Sequence, residues 1–133
     1  MEIKVVFGAV KTSGGPNFRG DITFDNLVIN LGNGFHAGSG TFTVPTSGTY
    51  RFSFSAQSGR EKNQWSWVDV KKNGVKVFDI WDANKAENSE LNNMAYTWLM
   101  NLTQSDIVTL YSSYDLYVDA DTPVTFTGEL IHI

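Results

Sequence analysis

Three aspartates, Asp115, Asp119 and Asp121, punctuate the segment SSYDLYVDADTPV (112–124), accompanied by Tyr114 and Tyr117. Carboxylate oxygens are hard donors, and several of them in a pliant loop suit calcium. The spacing is not that of an EF-hand, because the turn glycine and the terminal glutamate are missing. The other reading is an acidic loop that is simply solvated. In both readings the segment is expected to be a loop, with Asp115, Asp119 and Asp121 as the candidate metal ligands.

A second group lies in QWSWVDVKKNGVKVFDIW (64–81). Side chains alternate across a strand, so if Val68 and Val70 face a core, Trp65 and Trp67 face the other way. The Asn73-Gly74 pair marks a hairpin. A two-residue turn sets Phe78 and Ile80 beside Trp67, and a three-residue bulged turn sets Asp79 and Trp81 there instead. Both registers gather aromatic or apolar groups beside the tryptophans. Such a patch is an oligomer contact, a partner site or a platform for sugar rings, unless neighbouring loops cover it. Trp65, Trp67, Tyr114 and Tyr117 are the candidate ligand-binding residues.

Catalytic chemistry is poorly supplied. The two histidines, His36 and His132, stand far apart, and there is no cysteine. A serine nucleophile needs a histidine base and an orienting carboxylate, and no motif marks such a trio. The glycine-rich SGGPNFRG lacks the Gly-Lys-Ser/Thr ending and following helix of a phosphate loop. A non-enzymatic protein is expected. Asn-Leu-Thr at 101–103 is a glycosylation acceptor pattern, with Asn101 on the outward parity.

The elements that must position these groups are strands. Short alternating runs are separated by Gly, Asn, Asp, Pro and Ser clusters, at the spacing of sandwiches and barrels. The expected strands cover 3–10, 21–24, 26–31, 40–44, 49–57, 64–71, 75–82, 94–102, 106–113 and 123–133. Ten runs suggest two packed sheets. The polar stretch 82–93 is expected to be an exposed, mobile loop. A chain of 133 residues with 41% hydrophobic, 14% aromatic and 18% charged residues fits one domain spanning 1–133. A net charge of −4 with scattered Lys and Arg argues against nucleic acid. No apolar run approaches the roughly 20 residues of a membrane helix, so no membrane insertion is expected. The N-terminus reads as a first strand rather than a leader.

The spacing from Phe24 to Phe54 is specific: F-x5-N-x4-F-x6-F-x5-G-x-Y-x-F-x-F, through Asn30, Phe35, Phe42, Gly48, Tyr50 and Phe52. It resembles the signature of the complement C1q globular-domain family at every defined position. VVFGAVKT, FDNLVINLGNGF and VDVKKNG are similar to that family's early strands, loop and hairpin. LTQSDIVTL resembles its L-x-x-G-D-x-V-x-L with Ser105 at the usual glycine, and FTGELIHI resembles its closing strand.

This resemblance implies an all-β fold, a ten-stranded jelly roll of two antiparallel sheets like that of tumour necrosis factor. It also implies a tight homotrimer that acts as a secreted recognition or signalling module. Calcium bound near the trimer apex through acidic loops is a further implication. Stalkless heads of this kind resemble pattern-recognition lectins of innate immunity that bind glycans or microbial surface ligands. The alternative is a cerebellin-like or adipokine-like protein ligand or a matrix organiser. Phe24, Phe42, Tyr50, Phe52 and Phe54 are then expected in the core or in trimer packing. The chain departs from many members in having no cysteine and no collagen-like Gly-X-Y run.

Overall fold

The computed structural model describes residues 2–58, 66–82 and 93–133. Among them eleven strands form: β1 Val6–Lys11, β2 Gly15–Asp21, β3 Asn26–Leu31, β4 Phe35–His36, β5 Thr41–Thr43, β6 Gly48–Ser58, β7 Ser66–Lys72, β8 Val75–Asp82, β9 Asn93–Leu102, β10 Ile107–Val118 and β11 Val124–His132. No helix occurs among the described residues. The cause is legible along β6, where buried Tyr50, Phe52, Phe54 and Ala56 alternate with more exposed Arg51, Ser53, Ser55 and Gln57. That period of two is incompatible with a helical face.

The strands pair into two layers. One runs β3-β1-β11-β6, with β9 on the free side of β6. The other places β10 between β5 and β7, with β4 beyond β5, β8 beyond β7, and β2 against the far half of β10. The layers join where the ends of β10 and β6 pair, Leu116 with Ser58 and Tyr117 with Gln57. All of the strand pairs are antiparallel.

Between the layers lies a core dominated by aromatic rings. Phe7 stacks on Phe35 at 4.4 Å and meets Phe126 edge-on at 5.0 Å. Phe24, Phe42, Tyr50, Phe52 and Phe54, expected in core or trimer packing, are all at most 5% exposed and belong to this cluster. Burying each contributes about 1.5–3 kcal/mol. The polar members of the signature also acquire reasons. Asn30 donates its Nδ2–H to the Phe35 carbonyl at 3.0 Å and accepts the Phe35 N–H at 3.2 Å, closing the turn between β3 and β4. Gly48 is required by crowding rather than by backbone angles, because a Cβ there would lie 2.4 Å from the His132 carbonyl oxygen.

Three expectations are corrected. GPNFRGD forms β2, whereas 21–24 is a strand only at Asp21. Beyond it, buried Ile22 and Phe24 are held by backbone hydrogen bonds to Leu110 and Ala37. The first half of the supposed acidic-loop segment is also a strand, since β10 continues to Val118. Eleven strands, one of only two residues, therefore stand where ten were expected. The stretch expected as a mobile loop lies outside the described residues over 83–92.

Candidate functional site

The β7–β8 hairpin turns at Asn73 and Gly74, with φ of 53° and 80°. Two successive left-handed residues are what a tight hairpin needs. The Asn73 amide is fixed on both sides: Nδ2 donates to Asp106 Oδ1 at 3.0 Å, and Oδ1 accepts the Ile107 N–H at 2.8 Å. Next to the turn, Lys72 pairs with Val75 and Lys71 with Lys76. The register then shifts by one residue, pairing Val70 with Phe78, Val68 with Ile80 and Trp67 with Trp81. Neither expected register survives whole: the turn is the two-residue form, and a bulge at Val77 then carries Trp81 to Trp67. The adjacent apolar residues Val77 and Phe78, which break the alternation, were the sequence signal for it.

With Val68 and Val70 fully buried, Trp67 lies on the opposite face of β7. Its ring stacks on Trp81 at 5.9 Å and 29°. It also meets Tyr114 at 6.2 Å and 38°. Trp81 is 50% exposed and Tyr114 36%. The strand order β8, β7, β10 puts Trp67 in the middle of a row of three rings. Tyr114 reaches it from an irregular stretch of β10, where pairing with β2 shifts between Ser112 and Leu116. Buried Ser112 anchors that stretch by donating its hydroxyl to the Tyr114 carbonyl at 2.6 Å. Two candidate ligand residues distant in sequence thus meet. Trp65 lies outside the described residues.

Polar groups line the same face. Asp69 and Asp79 are cross-strand partners, and Lys76 donates to Asp79 Oδ2 at 3.1 Å. A cleft of about 250 Å³ is lined by Trp67, Asp69, Lys76, Ser113 and Tyr114. Burial and the neighbouring Asp79 push the Asp69 carboxyl above the usual carboxylate range. For Asp79 burial acts in the same direction, but hydrogen bonding with Asp69, Trp67 and Lys76 outweighs it and holds its carboxyl below that range. Asp79 Oδ1 is shielded from water. Asp69, Asp79 and Trp81 were not among the expected site residues.

The expected metal ligands are dispersed instead. Asp115 sits within β10, 4% exposed, and its carboxylate pairs with the Arg19 guanidinium. Asp119 turns inward on its own loop: Oδ1 accepts the Asp121 N–H at 2.9 Å, and the Thr122 N–H and hydroxyl at 2.8 and 2.7 Å. These bonds, led by the Thr122 hydroxyl, hold the Asp119 carboxyl below the usual range. Asp121 is exposed, and Tyr117 is engaged with Asp119. Among the described residues no three His, Cys, Asp or Glu side chains converge on a metal-holding cluster. The carboxylates of Asp115 and Asp119 are therefore committed to protein partners, and the three aspartates do not fit one calcium ligand set. His36 and His132 are both exposed, on β4 and at the end of β11.

The outer face of the other layer differs in chemistry. Hydroxyls couple its strands: Ser53 to Thr97 at 3.0 Å, Ser55 to Thr125 at 2.6 Å, and Thr49 to Asn101 Oδ1 at 2.7 Å. Asn101 of the glycosylation pattern is exposed there. Apolar groups border it, with Val28 at 71% and Leu99 at 60% exposure. Between β3 and β6 lies a depression of about 400 Å³, floored by Gly8, Ala9, Thr127 and Gly128. No helix among the described residues is long and apolar enough to cross a membrane.

These features have known counterparts. The C1q domain family model matches residues 6–131. Complement C1q tumor necrosis factor-related protein 3 of Mus musculus is 28% identical over 132 residues, which cover 98% of this chain and 52% of that protein. The Homo sapiens protein of the same name matches equally, so the chain spans about half the length of these relatives. Among solved structures, the globular domain of zebrafish complement 1qA protein aligns with a TM-score of 0.77 at 18% identity, covering 97% of this chain and 98% of that one. Murine APRIL, crystallised at pH 5.0, aligns with a TM-score of 0.68 at 15% identity, covering 93% and 98%. The jelly-roll fold and the match along nearly its whole length make this chain a member of the C1q domain family.

Proposed function

We propose that this protein is an extracellular, homotrimeric recognition module without catalytic activity, whose ligands are glycans on cell or microbial surfaces. One observation carries the reading: the two outer faces of the sandwich differ in kind. The β3-β1-β11-β6-β9 face is built mainly from small and hydroxyl side chains, with the Arg51–Glu129 ion pair among them and exposed apolar residues at its borders. Small side chains allow close approach of a second sheet, and the depression over Gly8 and Gly128 admits a neighbour's side chains. That is the composition of a face made to be covered by copies of itself. The opposite face keeps aromatic rings and charges in solvent, as a surface that meets a ligand does. Three such surfaces on one rigid assembly convert weak sites into strong attachment through effective concentration. Recognition in this reading does not pass through a calcium ion held by Asp115, Asp119 and Asp121.

A second reading is a cerebellin-like or adipokine-like protein ligand or a matrix organiser. The family relationship to C1q tumor necrosis factor-related protein 3 favours it. Light scattering combined with a glycan array separates the possibilities. The proposal expects a mass of three times the 14.8 kDa chain, with array binding that survives EDTA. A monomer at micromolar concentration contradicts the assembly. A stable trimer that binds no glycan on the array favours the protein ligand.

A further inference from the structure

We infer that the ring row Trp81, Trp67 and Tyr114, with Asp69, Asp79 and Lys76 beside it, is the glycan seat, and that it selects neutral oligosaccharides of equatorially substituted pyranoses. The inference rests on the recognition reading above and gives it a location and a ligand class.

The shape comes first. Ring centroids step by 5.9 Å and 6.2 Å across three neighbouring strands, with interplanar angles of only 29° and 38°. Gently tilted rings set on three neighbouring strands offer a strip rather than a box. A box would enclose a single cationic head. A strip fits a linked chain of sugar rings, each resting its C–H face on an aromatic side chain. An all-equatorial pyranose has axial C–H bonds on both faces and stacks well, whereas an axial hydroxyl roughens one face and must be desolvated against the ring.

The polar rim fits the same ligand. Equatorial hydroxyls project outward from a stacked ring, toward groups at the strip's edge. Asp69 and Asp79 accept hydrogen bonds, and the Lys76 ammonium donates them. Asp69 and Asp79 are balanced by Lys71 and Lys76, so the seat offers no net positive charge to draw in sulfated, phosphorylated or sialylated chains, which favours neutral sugars.

Rigidity follows from the sheet. The three rings stand on hydrogen-bonded strands, and Val68 and Ile80 pin the hairpin to the core. Little conformational entropy remains to be lost on binding. The strip also faces away from the β3-β1-β11-β6-β9 layer, so covering that layer leaves it open.

The test is a titration of the full chain with tri-N-acetylchitotriose and cellotriose, followed by tryptophan fluorescence and saturation-transfer NMR. An α-linked mannotriose and a sialylated trisaccharide serve as contrasts. The neutral equatorial sugars are expected to bind, with the contrasts at least tenfold weaker. Trp81→Ala, a half-exposed position whose loss spares the core, is expected to weaken binding at least tenfold without changing the assembly mass. Asp121→Ala is expected to leave affinity unchanged. Glycan binding that survives Trp81→Ala overturns the seat while leaving the recognition reading intact. Failure of the wild-type assembly to bind any glycan on the array overturns both. Tighter binding of the sialylated or mannose sugar overturns the selectivity.

Discussion

The segment around Asp115 and the hairpin around Trp67 each offered a cluster of functional side chains, and folding treated them in opposite ways. In the first, strand β10 continued into the cluster as far as Val118 and turned Asp115 toward Arg19. Asp119 Oδ1 then accepts from the backbone and hydroxyl of Thr122. In the second, a bulge displaced one strand by a residue and brought Trp81 opposite Trp67. An irregularity in β10 added Tyr114 from far along the chain. Groups that find partners within the fold cease to be available to a ligand. Rings on a sheet face outside the core keep part of their surface exposed, as Trp81 and Tyr114 do. The same contrast separates the two outer faces, one knit by hydroxyls and a cross-strand ion pair and the other carrying a row of aromatic rings.

The sharpest way to break this contrast is to place a large charge on the hydroxyl face. Ser53→Arg, beside Thr97, is expected to convert a trimer into monomers by light scattering while the far-ultraviolet circular dichroism stays that of a β protein. Per-chain affinity for a monovalent trisaccharide is expected to persist, because the ring row lies on the other layer. Loss of that affinity with the fold intact would join the two faces in one function.

A smaller effect is expected at Asp115. Asp115→Ala removes the partner of Arg19, which is half exposed and regains water in part, so the cost is about 1–3 kcal/mol. The urea midpoint is expected to fall accordingly, and added calcium is expected to move the wild-type midpoint not at all. A calcium-dependent rise would restore the metal reading of this segment.

Asp69 gives an effect that depends on pH. Its folded value is raised, so its ionisation weakens the fold: this group's contribution improves as pH falls through the raised value and levels off below the unfolded one. Asp69→Asn is expected to raise the denaturation midpoint at neutral pH, with the gain shrinking toward acid, where the wild-type carboxyl is protonated. A gain that is constant with pH would mean that the Asp69 carboxyl is not raised by folding.

The smallest change is expected at Ser105, which holds φ at 77°. A non-glycine residue in that region costs about 1–2 kcal/mol. Ser105→Gly recovers part of this, less the extra freedom of the unfolded glycine chain. A rise of a few degrees in thermal midpoint is expected, with ligand binding untouched.

The fold was largely legible because its determinants are local. Alternation in GTYRFSFS names β6, and the spaced aromatics from Phe24 to Phe54 name the core that the rings of β1, β4, β5, β6 and β11 share. What sequence reading missed depended on distant pairing. GPNFRGD has too many turn-forming residues to look like a strand and becomes one because β10 offers it an edge. Asp115 looked solvated because its partner, Arg19, lies in that unexpected strand. Trp67 was legible as outward-facing from parity alone, but its meeting with Trp81 hung on a one-residue bulge. Its meeting with Tyr114 hung on a strand partner that no local pattern announces.

Hydrogen exchange of the assembled protein, with and without a saturating neutral trisaccharide, tests the division between the two faces most directly. The account predicts slow exchange in β6, β9 and β11 whether or not sugar is present. It predicts ligand-induced slowing confined to β7, β8 and the Ser113–Tyr114 stretch of β10. Ligand-induced protection at Asp119–Thr122, or on the β6 and β9 face instead, would contradict it.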